Sequence, residues 1–214
     1  MKKQAGEEYL TWWYNSKIWK NTQYRGIRTL KFPVDMWNYQ ELIFANDIEW
    51  VIETGTRHGG SAVYFADLLA MKNGGKVVTV DVDKTAIHPL TFKHSRIEVV
   101  IGSSTHPIIL KKMFSFLPEE RGRTLLILDS NHRRDYVRKE LDLYIPLLRS
   151  NDYIIVEDTL LHHEGSRIGG FEGEGPMEAI QGFIETNPGI LLRDLPREKK
   201  YGATVAPYGY YTKR

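Results

Sequence analysis

The sequence contains no cysteine, which excludes disulfide bonds, thiolate nucleophiles and zinc sites built on cysteine. It also lacks any apolar run that approaches the roughly 20 residues of a membrane-spanning helix. Neither charge sign dominates, because 29 lysines and arginines stand against 27 aspartates and glutamates, a balance that does not indicate a nucleic-acid-binding protein. No apolar stretch follows the basic first residues, so we expect no signal peptide, no membrane span, no nucleic-acid partner and a cytoplasmic location.

A chain of 214 residues is long enough for one well-buried core and too short for two ordinary domains. We expect an aromatic-rich segment over residues 1–30, followed by one domain over 31–214. Aromatic side chains supply large contact area at low entropic cost, so this segment could cap the core, contact a second subunit or wall a substrate pocket. We expect the protein to be a homo-oligomer.

Residues 51–61 are the stretch around which the chain is organised. An apolar run ends in Glu53, passes through a turn that contains Gly55, Gly59 and Gly60, and continues from Ser61 as an amphipathic segment. This order predicts a strand, a glycine-rich loop and a helix. Glycines let the backbone approach a ligand closely, and a helix start presents free N–H groups. The pattern indicates a nucleotide-binding loop, although tight packing alone also accounts for glycines after a first strand.

A second apolar strand, over residues 76–82, ends at Asp81. Its position is roughly 20 to 30 residues past the glycines, where a carboxylate can accept hydrogen bonds from both hydroxyls of a ribose. The carboxylate and the glycine-rich loop together make a nucleoside site a stronger hypothesis than either does alone.

Apolar strands alternate with helical segments along the rest of the chain, with further strands at 97–101, 124–128 and 153–156. Such alternation predicts a parallel sheet covered on both faces. The last two strands, at 190–195 and 202–212, have no predicted helix between them and should therefore pair as an antiparallel edge hairpin. The predicted fold is α/β and doubly wound, with a mostly parallel seven-stranded sheet. The C-terminal hairpin favours the methyltransferase version of this fold over a dinucleotide oxidoreductase.

Ligands of open parallel sheets bind outside the carboxyl ends of the strands. The polar residues predicted at those ends are Glu53, Asp81, Ser103, Asp129, Glu157 and Asp158. Residues 159–176 follow, a long loop with two adjacent histidines and several glycines, which is typical of a lid or substrate loop.

Several motifs also occur in the order of a known family. They are Pro33-Val34-Asp35-Met36-Trp37-Asn38-Tyr39-Gln40-Glu41, Ile52-Glu53-Thr54-Gly55-Thr56 with Gly59-Gly60-Ser61, Leu128-Asp129-Ser130-Asn131-His132, Val156-Glu157-Asp158-Thr159, Gly175-Pro176-Met177-Glu178-Ala179 and Pro207-Tyr208-Gly209-Tyr210. From about Lys31 to the C-terminus the chain resembles the cephalosporin hydroxylase family. That resemblance implies the class I fold of S-adenosylmethionine-dependent methyltransferases and a relationship to rhamnosyl and macrolide-sugar O-methyltransferases.

The resemblance also implies roles for individual residues. Asp81 would bind the ribose of S-adenosylmethionine, and Gly102 with Ser103 the adenine edge. The methionine part of the cofactor would lie against Glu53, Gly55, Thr56, Gly59, Gly60 and Ser61, with Asp129 beside it. Asp129, Glu157 and Asp158 match the family's acidic cluster, which resembles the magnesium site of catechol-type O-methyltransferases.

Methyl transfer to oxygen needs a hydroxyl made nucleophilic close to the sulfonium methyl. Mg²⁺ bound by oxygen ligands can hold substrate oxygens and lower their pKa. His132, three residues after Asp129, is the candidate base, because a neutral imidazole can accept a hydroxyl proton. The predicted function is S-adenosylmethionine-dependent, Mg²⁺-assisted O-methylation of a sugar or of a glycosylated natural product.

Three alternatives use the same sequence differently. An iron-dependent hydroxylase would need two histidines and a carboxylate, for which His162, His163 and Glu164 offer a formal set. A non-catalytic partner subunit could keep the fold without the chemistry. An NAD-dependent oxidoreductase is disfavoured, because the turn lacks the Gly-x-Gly-x-x-Gly spacing.

Overall fold

The computed structural model of the chain describes residues 2–161 and 173–214. In chain order its helices are α1 (Lys2–Asn15), α2 (Pro33–Ala45), α3 (Gly60–Met71), α4 (Pro89–Lys93), α5 (Pro107–Phe114), α6 (Arg134–Tyr144), α7 (Pro176–Thr186) and α8 (Leu195–Lys199), with 3₁₀ turns at Ile18–Asn21 and Ile145–Leu147. The strands are β1 (Gln23–Tyr24), β2 (Ile27–Arg28), β3 (Ile48–Thr54), β4 (Val77–Asp81), β5 (Ile97–Ile101), β6 (Arg123–Leu128), β7 (Tyr153–Val156), β8 (Leu191–Arg193) and β9 (Tyr210–Lys213).

Seven strands form the main sheet, in the order β5-β4-β3-β6-β7-β9-β8. The first five are parallel, and β9 runs antiparallel to both β7 and β8. This arrangement confirms the predicted doubly wound sheet. The strand order reverses at β3, which has β4 on one side and β6 on the other, so the loops that follow β3 and β6 diverge and leave a cleft.

The predicted C-terminal hairpin lies at the edge of the sheet as expected, but it needs correction in its connection and in the start of its second strand. The segment expected to be a basic turn contains α8, because Asp194 caps that helix by accepting from the Arg197 amide at 3.1 Å and Pro196 suits the first helical turn. In addition, β9 begins at Tyr210, so most of the strand predicted over 202–212 is not a strand. Within the hairpin, β9 pairs with β7 and β8 lies at the edge of the sheet. The two strands do pair antiparallel, as predicted.

Two apolar clusters cover the faces of the sheet. One joins α2 and α3 to the sheet around the fully buried Tyr39 and Phe65. The other joins α6 and α7 to the opposite face around Tyr144 and Phe183. Because both faces are covered, β3 is buried along almost its whole length, which explains why the strands are continuously apolar in sequence.

The ends of β3 and β6 approach each other at Gly55, before the loops that follow them diverge. The Gly55 φ of +91° is one that side-chain-bearing residues rarely adopt, and an added Cβ would lie 2.0 Å from the carbonyl oxygen of Asp129. Glycine is therefore required where the two strand ends approach each other. Over residues 2–161 and 173–214, none of the helices has both the length and the apolar character to cross a membrane.

Candidate active site

The cleft at the carboxyl ends of the strands contains two adjoining cavities. The larger, of about 610 Å³, is bounded by the strand ends, the segment before α2 and residues of the N-terminal segment. The smaller, of about 350 Å³, lies beside the ends of β4 and β5. Gly55, Asp81 and Ser130 line both cavities, so the two form one continuous site.

The glycine-rich turn contributes unequally to this site. Gly55, Thr56 and Ser61 line the larger cavity. Gly59 and Gly60, predicted to bind the cofactor, are not among the residues lining either cavity. A Cβ on Gly60 would lie 2.4 Å from the carbonyl oxygen of Arg28, and one on Gly59 would collide with the Thr91 side chain. These two glycines allow α3 to start close to its neighbours.

Glu53 lies beneath the turn and is fully buried. Its Oε2 accepts a hydrogen bond of 2.8 Å from the Thr79 hydroxyl. Burial raises the pKa of Glu53 to about 7, against the lowering effects of the Lys31 charge and of the Ser61 and Thr79 hydroxyls. Glu53 is not among the residues that line the two cavities, so it supports the turn from below.

Asp81 ends β4 at the junction of the cavities. Its Oδ2 accepts from the Arg57 amide at 2.7 Å, and its Oδ1 accepts from the Asp83 amide at 2.9 Å. Two backbone donors therefore fix the orientation of this carboxylate.

The residues that line the smaller cavity include Gly102, Ser103 and, from α6, Tyr136. Ser103 Oγ lies 2.9 Å from the hydroxyl of Tyr136, a lining residue that sequence reasoning missed because nothing in the helical pattern of α6 marks it. Beneath the lining, the buried Glu140 accepts from Ser104 at 2.6 Å and from Ser130 at 2.7 Å. Burial raises the pKa of Glu140 to about 7 despite these two donors.

The inner end of the larger cavity is acidic. Among the described residues, Asp129, His132 and Asp158 each offer one ligand atom, and these atoms all lie within 4.8 Å of one another. His132 Nε2 is 3.3 Å from Asp158 Oδ2 and 3.7 Å from Asp129 Oδ1. Burial would lower the pKa of His132, but the two carboxylates raise it to about 9. Burial raises the pKa of Asp158 to about 7, although the charge of His132 opposes that rise.

Glu157, the remaining predicted metal ligand, has different partners. Its Oε1 accepts from Lys31 Nζ at 2.5 Å and from the Tyr39 hydroxyl at 2.7 Å. The same Nζ lies 2.7 Å from Asp129 Oδ2. Burial would lower the pKa of Lys31, but Asp129 and Glu157 hold it above its usual value. Sequence reasoning missed Lys31; its only signal is a lysine between the apolar Leu30 and Phe32.

The N-terminal segment forms one wall of the larger cavity, with Trp13, Tyr14 and Trp19 among the lining residues. The Tyr14 hydroxyl is 3.5 Å from Asp158 Oδ1. Trp13 is anchored by an edge contact with Phe32, at a centroid distance of 5.3 Å. The segment therefore lines the larger cavity, and through Leu10 and Trp13 it also packs in an apolar cluster with Phe32. The predicted lid residues His162 and His163 lie outside the described residues.

Comparison with known proteins gives consistent results. The model of the family described as rhamnosyl O-methyltransferase/CmcI matches residues 16–214, so the match extends upstream of Lys31. A rhamnosyl O-methyltransferase of Mycobacterium tuberculosis H37Rv is 40% identical over 207 residues, which cover 96% of this chain and 84% of the relative. A rhamnosyl O-methyltransferase of Mycobacterium leprae is 36% identical over 209 residues, with 97% and 90% covered.

Solved structures show the same fold. The CmcI structure described as the D160 form with Mg and S-adenosylmethionine aligns at a TM-score of 0.70 with 18% identity, covering 91% of this chain and 77% of the other. An O-methyltransferase of Bacillus cereus in complex with S-adenosylhomocysteine aligns at 0.56 with 19% identity, covering 75% and 72%. At such identities the likeness establishes a class I methyltransferase fold.

Proposed function

The chain belongs to the rhamnosyl O-methyltransferase/CmcI family, and from this premise we propose that it transfers a methyl group from S-adenosylmethionine to a hydroxyl of a sugar or a glycosylated acceptor. The observation that carries the proposal is the continuous cleft formed by the two cavities. A nucleoside-sized compartment at one end and an acidic, aromatic-walled compartment at the other meet at Gly55, Asp81 and Ser130.

The cofactor would span this junction. Asp81 is held by two backbone amides and can accept hydrogen bonds from both ribose hydroxyls. The adenine would occupy the smaller cavity beside Gly102 and Ser103. The methionine part would then lie against Gly55 and Thr56 in the larger cavity, so that the sulfonium methyl faces the acidic cluster.

The acidic cluster fits a hard divalent cation, because carboxylate oxygens from the ends of β6 and β7 converge within 4.8 Å. Asp129 and Asp158 would hold it, with Glu157 adjacent. When bound, Mg²⁺ supplies Lewis acidity that lowers the pKa of an acceptor hydroxyl and fixes its position.

His132 is the residue proposed to receive the acceptor proton. It borders the larger cavity beside Asp129 and Asp158. The acceptor oxygen attacks the methyl carbon, the bond from that carbon to sulfur breaks, and the proton passes to an imidazole nitrogen. This role requires a neutral imidazole. The positive charge of Lys31 favours the neutral form, because it lowers the pKa of His132 and so opposes the effect of Asp129 and Asp158.

The acceptor sugar would lie between the cofactor and the aromatic wall. Trp13, Tyr14 and Trp19 line the larger cavity, and aromatic rings supply large apolar contact area for the C–H face of a pyranose. The relatives named as rhamnosyl O-methyltransferases support a deoxysugar acceptor.

The test is transfer of isotope-labelled methyl from S-adenosylmethionine to rhamnosides and other glycosides, with and without Mg²⁺. His132→Ala should lower kcat by about a hundredfold or more, with S-adenosylhomocysteine affinity unchanged. His88→Ala, at an exposed helix cap away from the cleft, should leave both unchanged. Retained turnover in the first variant would contradict the base role. Wild-type protein that methylates no glycoside would contradict the proposed function.

A hydroxylase is the second candidate and is not favoured. A facial iron site needs two histidines and one carboxylate, whereas the cluster in the described residues has one histidine and two aspartates. A non-catalytic subunit is disfavoured because the full-length relatives carry an enzyme's name. Turnover that depends on Fe(II) and 2-oxoglutarate would favour the hydroxylase over the methyltransferase.

A further inference from the structure

Lys31 reaches the acidic cluster from the segment before α2, whereas the acids come from strand ends. It is buried, with 5% of its surface exposed. Its ammonium contacts both Asp129 Oδ2 and Glu157 Oε1, at 2.7 Å and 2.5 Å. Tyr39 donates to the same oxygen of Glu157, so this carboxylate is fixed from two sides by groups that carry no metal-binding capacity.

The contact of Lys31 with Asp129 and Glu157 pairs a cation with the carboxylates of the acidic cluster. Asp129, Glu157 and Asp158 lie together at the inner end of the cavity, and Glu157 is 2% exposed. Buried carboxylates without a counter-charge are strongly destabilising. Lys31 supplies that counter-charge within the chain, and a divalent cation held by the same acids would supply it from outside. Because like charges repel at such short distances, the two cations oppose each other.

We propose that Lys31 is a positioning residue that acts as a built-in counter-cation: it stabilises the acidic cluster when no metal is bound and lowers the affinity of the cluster for a divalent cation. The inference rests on the metal site of the proposed function. Asp129 has two neighbours of different kind, Lys31 at Oδ2 and His132 at Oδ1, and would contribute to holding the metal. A divalent cation that binds here therefore competes with the charge of Lys31 for the same carboxylates, and this competition keeps metal binding reversible.

The test compares Lys31→Met with wild type by calorimetric titration with Mg²⁺ and by thermal unfolding in chelator and in Mg²⁺. The variant should bind Mg²⁺ at least about tenfold more tightly, since an opposing charge within a few ångströms is removed. Its Tm should lie below that of wild type in chelator, and Mg²⁺ should narrow the difference. Lys72→Met is the matched control, because Lys72 pairs with Asp47 away from the cleft; its Mg²⁺ affinity should equal that of wild type.

Unchanged or weaker Mg²⁺ binding in Lys31→Met would overturn the inference, because a merely structural lysine would not restrain metal affinity. If this variant does not fold, the double variant Lys31→Met/Glu157→Gln is compared with Glu157→Gln. Both then lack the Glu157 charge, and they differ only in the lysine. Tighter Mg²⁺ binding is again expected in the double variant, through Asp129, and equal binding would overturn the inference. Methyl transfer by wild type is measured separately, so failure of the proposed function is distinguishable from failure of this inference.

Discussion

At the scale of single residues, the buried carboxylates of the cleft divide by their partners. Asp129 and Glu157 share the ammonium of Lys31. Among the described residues, Glu140 instead accepts from hydroxyls, including those of Ser104 and Ser130. A neutral donor compensates a buried charge less than a cation does. Ionised Glu140 therefore destabilises the folded state more than protonated Glu140 does. The free energy of unfolding should change with pH as a result.

Burial raises the pKa of Glu140 from 4.5 to about 7. Below pH 4.5 both the folded and the unfolded chain hold this proton; between pH 4.5 and about 7 only the folded chain does, so rising pH favours unfolding across that window. Glu140→Gln, which cannot ionise, should remove this component. We expect the free energy of unfolding of the variant, relative to that of wild type, to be higher at pH 8 than at pH 5. Urea unfolding of both proteins at the two pH values measures this difference.

Glu185→Gln, on the exposed face of α7, is the control and should show the same difference from wild type at both pH values. If the stability of Glu140→Gln relative to wild type were equal at the two pH values, Glu140 would not be held protonated by burial.

At the scale of elements, the cleft depends on how strand ends and the N-terminal segment meet. The apolar strands, the glycine-rich turn and the carboxylates after β4, β6 and β7 were predictable, because a periodic pattern and a strand end are local properties of the sequence. Lys31 and Tyr136 were not, since their roles arise from contacts with residues far along the chain. The short helix α8 was missed because its cap and proline resemble a turn.

The N-terminal segment should affect the acceptor and spare the cofactor. Trp19 lines the larger cavity and is not among the residues that line the smaller one. Trp19→Ala should raise KM for a glycoside acceptor by about tenfold through loss of ring contact, with KM for S-adenosylmethionine unchanged. Trp37→Ala removes an indole that is 61% exposed on α2 and should change neither constant. Equal increases in both KM values for Trp19→Ala would indicate a general loss of structure instead.

At the scale of the whole molecule, the cleft lies at the carboxyl ends of the parallel strands, where the sequence predicts it. The reversal at β3 places the ends of β4 and β6 on either side of one cleft, so a ligand spanning it contacts both halves of the fold. The fold class was predictable from the alternation of apolar strands and helices, and the position of the cleft from the carboxyl ends of the predicted strands, whereas the strand order was not predicted. The division of the cleft into two cavities was not predictable, because it depends on side chains and on the wall made by residues 13–32.

A ligand that bridges both halves should stabilise the entire fold. We expect S-adenosylhomocysteine to raise the Tm in proportion to its affinity, as required when a ligand binds only the folded state. Asp81→Asn should weaken binding by about tenfold to a hundredfold, because hydrogen bonds to a charged acceptor are lost. Asp83→Asn is the control, since the Asp83 side chain accepts from the Thr85 amide, and the backbone amide of residue 83 that donates to Asp81 is kept in the variant. Equal affinities of the two variants in calorimetry would refute the ribose assignment.

The wall of the larger cavity joins residues from distant parts of the chain. Leu10, Trp13 and Phe32 pack with Val205 in one cluster, and Asp35 accepts from the Val205 amide at 2.9 Å and from the Tyr210 hydroxyl at 3.0 Å. During synthesis on the ribosome, the parallel strands β3 to β7 emerge before Val205 and β9 do. We therefore expect a nascent chain to be able to pair its parallel strands before the cluster behind the cavity wall is complete.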